Sequence, residues 1–398
     1  MQIGWIDFSK EDRKKVLSVI DLLSEDGTLD ELGIASIRDG FADIFFPGTS
    51  SIQTRAKYFL IVPYAIDTII HTYHTSPKGI LEKLDQIERE CAKILNQPDV
   101  EGVIGSRALK SGSWVQRTPV DVYWAGLRRY EIFQGGPMSL TEYVRTAVAL
   151  KNSKIDLQKI GSRNDDATEL ESDDGDAGSL YSKSFWRLPA YDREHWNDGL
   201  TMNLSQEEAE FLKERIIATQ PASLLAYILQ MNLKEVLSVQ NFREFERLIP
   251  KFPVDMQESY NLAKAFSDFI FLARIRYNII LSENKNHRAM EQWSAYVPKL
   301  DRYADLDLEG IFRRLDIRNN NLRRFLTTLQ DCFKKSEIVE ADRLIIQRET
   351  HLKGVNRAKL NFPGKYPVDN WIGGELLNYR FGNAMTLVRD IFNGLEGI

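Results

Sequence analysis

The chain is poor in sulfur-bearing nucleophiles and in long apolar runs. Only two cysteines, Cys91 and Cys332, occur in 398 residues, which excludes a disulfide framework and predicts a reducing compartment. No histidine lies close to either in sequence, so both read as buried free thiols rather than redox or catalytic groups. The longest apolar stretches, such as Tyr58-Phe59-Leu60-Ile61-Val62, fall far short of the roughly 20 residues a bilayer span needs. The start, Met1-Gln2-Ile3-Gly4-Trp5-Ile6-Asp7, lacks a basic region followed by an apolar run, so neither signal peptide nor anchor is expected and the expected location is cytoplasmic. Gly364-Lys365 lacks the glycine five residues earlier that a Walker loop demands, and no G-x-S-x-G elbow, Cys-x-x-Cys pair or kinase signature occurs. Common ATPase, hydrolase, kinase and zinc-finger readings are disfavoured and no cofactor is expected. Residues assembled in space from distant parts of the chain remain the route to an enzyme.

What is there is globular. A composition 43% hydrophobic and 27% charged belongs to a folded protein, and the length suggests two or three compact units. Charge is unevenly placed. Residues 162–179 hold seven acids (Asp165, Asp166, Glu169, Glu171, Asp173, Asp174, Asp176) against Arg163 alone, more than the whole net charge of -5. The remainder is therefore near neutral, and the acidic balance does not argue against a nucleic-acid partner. Because Gly161 to Ser182 has almost no large apolar residue, it cannot offset its ordering entropy and reads as a flexible acidic linker. It divides an N-terminal helical domain, 1–160, from a C-terminal helical domain, 183–398.

Apolar spacing of 3.6 predicts a mostly α protein. Ser9-x-x-Asp12 opens a first helix, a second runs from about Leu29 to Phe46, and Pro47-Gly48 stops it. Thr49 or Ser50 caps a third helix that Pro63 kinks or interrupts, and a fourth spans Pro77 to Asn96. A loop follows, with a short hairpin weakly signalled, before a helix from Val120 to Tyr130 behind Pro119. Beyond the linker, Ser205-x-x-Glu208 starts a helix to Pro221, and further helices are predicted at 222–232, 240–249, 257–283, 285–299, 307–317, 319–347 and 383–395. The N-terminal bundle thus includes a small helix-corner-helix or winged-helix-like element around Pro47-Gly48.

Several segments resemble a known family. They are Gly4-Trp5-Ile6-Asp7-Phe8-Ser9, Asp30 to Ile34, Ile37 to Asp43, the block Phe46-Pro47-Gly48-Thr49-Ser50-Ser51-Ile52-Gln53-Thr54-Arg55-Ala56-Lys57-Tyr58-Phe59-Leu60, Glu101 to Gly105, Tyr123 to Arg129, and Tyr379-Arg380-Phe381. Together they are similar to the bacterial domain-of-unknown-function family number 6361, with the block from 38 to 60 the most specific. Gly40 stands where that pattern has alanine and Lys57 where arginine is commoner. In a helix, glycine costs about 1 kcal/mol against alanine, so Gly40 marks close packing. The resemblance supplies no mechanism. It implies, by genetic association with helicases, nucleases and defence genes, an accessory role in nucleic-acid-linked work beside other proteins.

Two basic regions suit that role. On the third helix, Thr49 and nearby amides would meet phosphate while Gln53, Arg55 and Lys57 reach base edges or backbone. The alternative is structural, with Arg38 and Arg55 tying Asp39 and Asp43 in ion pairs across the corner. Asp39 and Asp43, one turn apart, would otherwise hold a hard cation in a nuclease, but no further carboxylates stand at a recognisable spacing. Arg128 and Arg129 lie among Trp114, Tyr123, Trp124 and Tyr130, either as a nucleic-acid clamp or as the rim of an aromatic core. Between Ile311 and Lys335, Arg313, Arg314, Arg318, Arg323, Arg324, Lys334 and Lys335 outnumber Asp316 and Asp331, the strongest basic patch in the chain. His71 and His74 share a helix face at a zinc-compatible spacing, but no third ligand is in sight, so no metal site is expected. The expected function is a non-enzymatic, nucleic-acid-linked subunit of a bacterial defence or DNA-processing system, with a protein-only scaffold and an unrecognised metal-dependent nuclease as alternatives.

Overall fold

A computed structural model describes residues 30–73, 76–161 and 185–398, the last helical turns of 153–161 as backbone only. The expected helix behind Ser9, His74, and the acidic 162–179 segment with the rest of the expected linker lie outside the described residues.

The protein is mostly α. In chain order the helices are α1 (Ala35–Phe45), α2 (Tyr58–Thr72), α3 (Pro77–Leu95), α4 (Ser106–Lys110), α5 (Pro119–Arg129), α6 (Leu140–Gly161), α7 (Gln206–Thr219) and α8 (Leu224–Gln230). They continue with α9 (Val254–Leu281), α10 (His287–Tyr296), α11 (Leu300–Ala304), α12 (Leu308–Arg314), α13 (Asn320–Lys334), α14 (Ile338–Lys353) and α15 (Phe381–Glu396). Among the described residues strand pairing is confined to one isolated antiparallel bridge, Phe133 with Trp186, so no hairpin or wing of paired strands is present there.

The chain clusters into two compact units, Met1–Phe41 with Glu258–Leu377, and Ala42–Gln257 with Asn378–Ile398. Each draws on both halves of the sequence. In the second unit the C-terminal helix α15 packs on α7 and α8, and its residues Leu387, Val388 and Ile391 are buried.

In the second unit α2 is the central helix. Its sequence is nearly all apolar, and eleven of its fifteen residues are buried, so it packs on more than one side, against α3 and α5. Pro63 lies inside it without interrupting it. Aromatic rings bind α2 to α5, with Phe59 edge-on to Tyr123 at 4.9 Å and Tyr58 5.3 Å from the same ring. Gly126 of α5 is buried where an added Cβ would lie 2.6 Å from Gly48 O, so helix and loop meet backbone to backbone. Helix α6, unforeseen from the sequence, starts at a reciprocal cap: Ser139 N–H donates to Glu142 Oε2 and Glu142 N–H to Ser139 Oγ.

In the first unit α9 supplies Phe271, Ile275 and Ile279 to a cluster with Ala289, against which Trp293, Tyr296 and Trp371 pack. Glu349, wholly buried, accepts from Tyr277 Oη at 2.7 Å, Leu360 N at 2.9 Å and Lys353 Nζ at 3.1 Å, which satisfies a charge that would otherwise be costly to bury. The single helix expected over 319–347 is two, α13 and α14, because Ser336 adopts φ 56° between them. Gly40 does mark close packing, since Leu315 lies 3.1 Å from where its Cβ would be. Both cysteines are buried and free, and burial pushes the Cys91 thiol up to about 12.

Glu88 of α3 is 1% exposed. Its Oε1 accepts from Val120 N at 2.7 Å in the first turn of α5, while Oε2 has no hydrogen-bond partner. Burial raises the carboxyl to about 8, so the folded state binds a proton that the unfolded chain releases near its ordinary value. Stability from this group is full below the unfolded value and is lost as pH rises towards the folded one. Urea unfolding at pH 5 and pH 8 should show the protein weaker at pH 8, and Glu88→Gln should remove most of that difference. An unchanged difference in the variant would assign it to other groups.

Candidate functional site

The loop between α1 and α2, residues 46 to 57, is not helical, and its polar side chains turn inward to shape it. Thr49 is 5% and Gln53 2% exposed. Thr49 Oγ1 donates to Phe46 O at 2.6 Å, and Gln53 accepts from Ser50 N and donates to Gly48 O. The third helix expected to begin at Thr49 therefore begins only at Tyr58, as α2, so Gln53 and Lys57 lie in the loop before it and not on a helix face. Side chains of this type compete with a helix by bonding local backbone.

Three other parts of the chain hold the loop in place. From α5, the Tyr123 hydroxyl accepts from Thr54 N at 2.9 Å and Arg55 N at 3.0 Å and donates to Arg55 O at 2.8 Å. Thr54 Oγ1 donates to Gly102 O. From α15, Asp390 takes Arg55 Nε on both oxygens, at 3.0 and 2.9 Å, and Ala56 N at 2.8 Å. Burial raises the Asp390 carboxyl above its ordinary value against the pull of Arg55. Asn383 donates to Gln53 O, and Arg380 donates to Thr49 O and pairs with Asp43 at 2.7 Å. Tyr379 and Arg380 hold left-handed φ values of 47° and 63°, strain that those contacts stabilise. Lys57 pairs with Glu208 of α7 at 2.5 Å, both largely buried. The segments 46–60, 101–105, 123–129 and 379–381 thus meet in one place. A cleft of about 520 Å³ opens there, lined by Thr54, Arg55, Gly102, Asn383, Arg389 and Asp390 among others.

The structural alternative raised for Arg38, Arg55, Asp39 and Asp43 holds only for Arg38 with Asp39, an exposed pair at 3.1 Å. Arg55 takes Asp390 and Asp43 takes Arg380. No group of three or more potential metal ligands occurs among the described residues. His71 is occupied locally, its Nδ1 2.8 Å from Asp67 O.

Arg128 and Arg129 end α5, whose turn carries Glu131 at φ 51°. Tyr123, at 0%, and Trp124, at 9%, are core, so the aromatics take the structural role and the arginines face a cleft. That cleft, about 610 Å³, is lined by Arg128, Arg129, Glu131, Phe133 and Gln134 with Ala125 and Gly136. Among the described residues each arginine is tethered by Nε alone, Arg128 to Gly136 O at 3.0 Å and Arg129 to Gln220 Oε1 at 2.9 Å, and no described residue takes the terminal nitrogens of either fork. Arg215 stands behind, donating to Tyr130 O and Glu131. Arg187, whose N–H donates to Ile132 O, is close enough that burial and its charge together lower Arg215 from its ordinary value. Sequence reading missed Arg187 and Arg215 because neither is near 128 in the chain.

In the other unit the 311–335 patch is largely neutralised. Arg314 pairs with Glu258, Arg323 with Glu309 and Lys334 with Asp305, acids that lie outside the counted window, and Arg318 takes Asp316. Arg313, Arg324 and Lys335 are exposed and form no ion pair among the described residues.

Residues 1–164 match the model of a family of unknown function, DUF6361, which covers the blocks up to Arg129 and not the Tyr379-Arg380-Phe381 tail. No curated protein and no solved structure matches the chain.

The pairing pattern separates two sets of acids. Asp390→Asn should cost several kcal/mol, since it leaves Arg55 largely buried without its partner. Asp39→Asn with Asp43→Asn, in more exposed pairs, should cost about 0–1 kcal/mol. Thermal unfolding of the two variants checks this, and equal losses would show that the Arg55 contact does not anchor the loop.

Proposed function

We propose that this chain is a non-enzymatic, nucleic-acid-linked accessory subunit of a bacterial defence or DNA-processing system, working beside other proteins of that system. The observation that carries the reading is the cleft at the end of α5. Guanidinium forks held by one nitrogen and open at the others suit phosphate oxygens, which they meet with charge-assisted, two-pronged bonds. Among the described residues, four arginines (Arg128, Arg129, Arg187, Arg215) gather at or beside this cleft, and the one carboxylate among its lining residues is that of Glu131. Arg313 and Arg324 offer a second, weaker phosphate contact. Thr49 and Gln53 leave the set of candidate contacts because they are buried and bonded to backbone. Arg55 and Lys57 serve the loop.

A protein-only scaffold draws support from the paired charges of the 311–335 region, which suit an interface better than a polyanion track. A nuclease built on Asp39 and Asp43 draws none, since an arginine engages each carboxylate.

Binding of labelled single-stranded and duplex DNA, titrated at several salt concentrations, tests the reading. Arg128→Gln with Arg129→Gln should weaken binding regardless of sequence and reduce the log-log salt slope by roughly one unit for each phosphate no longer neutralised. Arg313→Gln with Arg324→Gln should have a smaller effect in the same direction, and neither pair should move the melting temperature much. Absence of any salt-dependent binding by the wild-type chain, alone or with its native partners, would overturn the reading in favour of the scaffold.

A further inference from the structure

The cleft at the end of α5 has features that a general phosphate track does not need. Its volume of about 610 Å³ is that of a small-molecule site, whereas the phosphates of a duplex lie on a convex cylinder wider than such a recess. Phe133, an apolar lining residue, is 1% exposed and lies parallel to Phe185, with 11° between their planes. Besides the arginines, two polar groups of different chemistry line the cleft. Gln134 is a lining residue, and its side chain carries an amide, which both donates and accepts. Glu131 presents a carboxylate whose side chain is 65% exposed while it holds Arg215. A carboxylate beside a phosphate site repels a second phosphate, so it disfavours a continuous backbone track. It also accepts from base amino groups, as an amide pairs with base edges.

We infer that this cleft takes one nucleoside phosphate, supplied by an unpaired strand or by a free nucleotide, with Arg128 and Arg129 on the phosphate and Glu131 and Gln134 on the base. The inference rests on the phosphate reading of the same cleft and narrows it. Bases are accessible in this way only when unpaired, since a duplex keeps their edges in its grooves and their faces stacked. Glu131 is the selective element, because it rewards a base with an exocyclic amino group and rejects one that offers only carbonyl oxygens at that position.

Fluorescence anisotropy with the full chain tests this, using a twelve-nucleotide single strand, the blunt duplex of the same sequence, and competition by AMP, CMP and UMP. The single strand should bind about tenfold or more tighter than the duplex at equal salt. Competition by CMP and AMP over UMP would extend the site to free nucleotides, while no competition with the strand preference intact would confine it to strands. Glu131→Gln should erase the preference for amino-bearing bases and leave the salt slope in place. Equal affinity for strand and duplex, both abolished in Arg128→Gln with Arg129→Gln, would overturn the nucleotide inference and leave the phosphate reading standing. No binding of either would remove both. The strand-to-duplex comparison uses the wild-type protein and is independent of how the variants fold.

Discussion

The hydroxyl of Tyr123 is the contact on which the candidate region depends. It is buried at the junction of α2, α5 and the 46–57 loop, and it makes three bonds to two consecutive residues of that loop. An unsatisfied buried backbone group costs about 1–3 kcal/mol, so one phenol stabilises a stretch of chain that regular structure does not. Asp390 does the same from the other side with Arg55 and Ala56 N. The loop owes its shape to these anchors, and α5 carries the Tyr123 anchor near its middle and the arginine cleft at its C-terminal end.

The architecture was legible where periodicity and caps agree. Helix α3 behind Ser76 and Pro77, α5 behind Thr118 and Pro119, and α7 behind the Ser205 and Glu208 box fall within a residue or two of expectation. Helix α6 was missed although Ser139 and Glu142 spell the same box, because the apolar spacing behind them is weak. The 49–57 error has the opposite cause. Thr49, Ser50 and Gln53 are residue types that cap helices, and here they bond their own turn instead, a choice that local sequence leaves open.

Of the candidate contacts, Arg128 and Arg129 face a cleft and Arg313 and Arg324 stay exposed. The region 311–335 misled because a window along the chain counts only its own acids, while Glu258, Glu309 and Asp305 arrive through folding. Arg55 and Lys57 misled for a related reason: Asp390 and Glu208 are far away in sequence. Charge read from one dimension overestimates the field wherever ion pairs are long-range.

Gly126 carries a lesson for anyone stiffening this protein. Replacing glycine by alanine inside a helix normally stabilises, by about 1 kcal/mol through the unfolded chain's reduced freedom. At Gly126 the new methyl would stand 2.6 Å from Gly48 O and 2.7 Å from the Phe59 ring, and at Gly394 it would stand 2.8 Å from Ala209 Cβ. Both positions are interlocks with a clearance of one hydrogen atom, and there the usual engineering rule changes sign. Gly382, with open space where its methyl would go, is the helical glycine at which the rule can be applied.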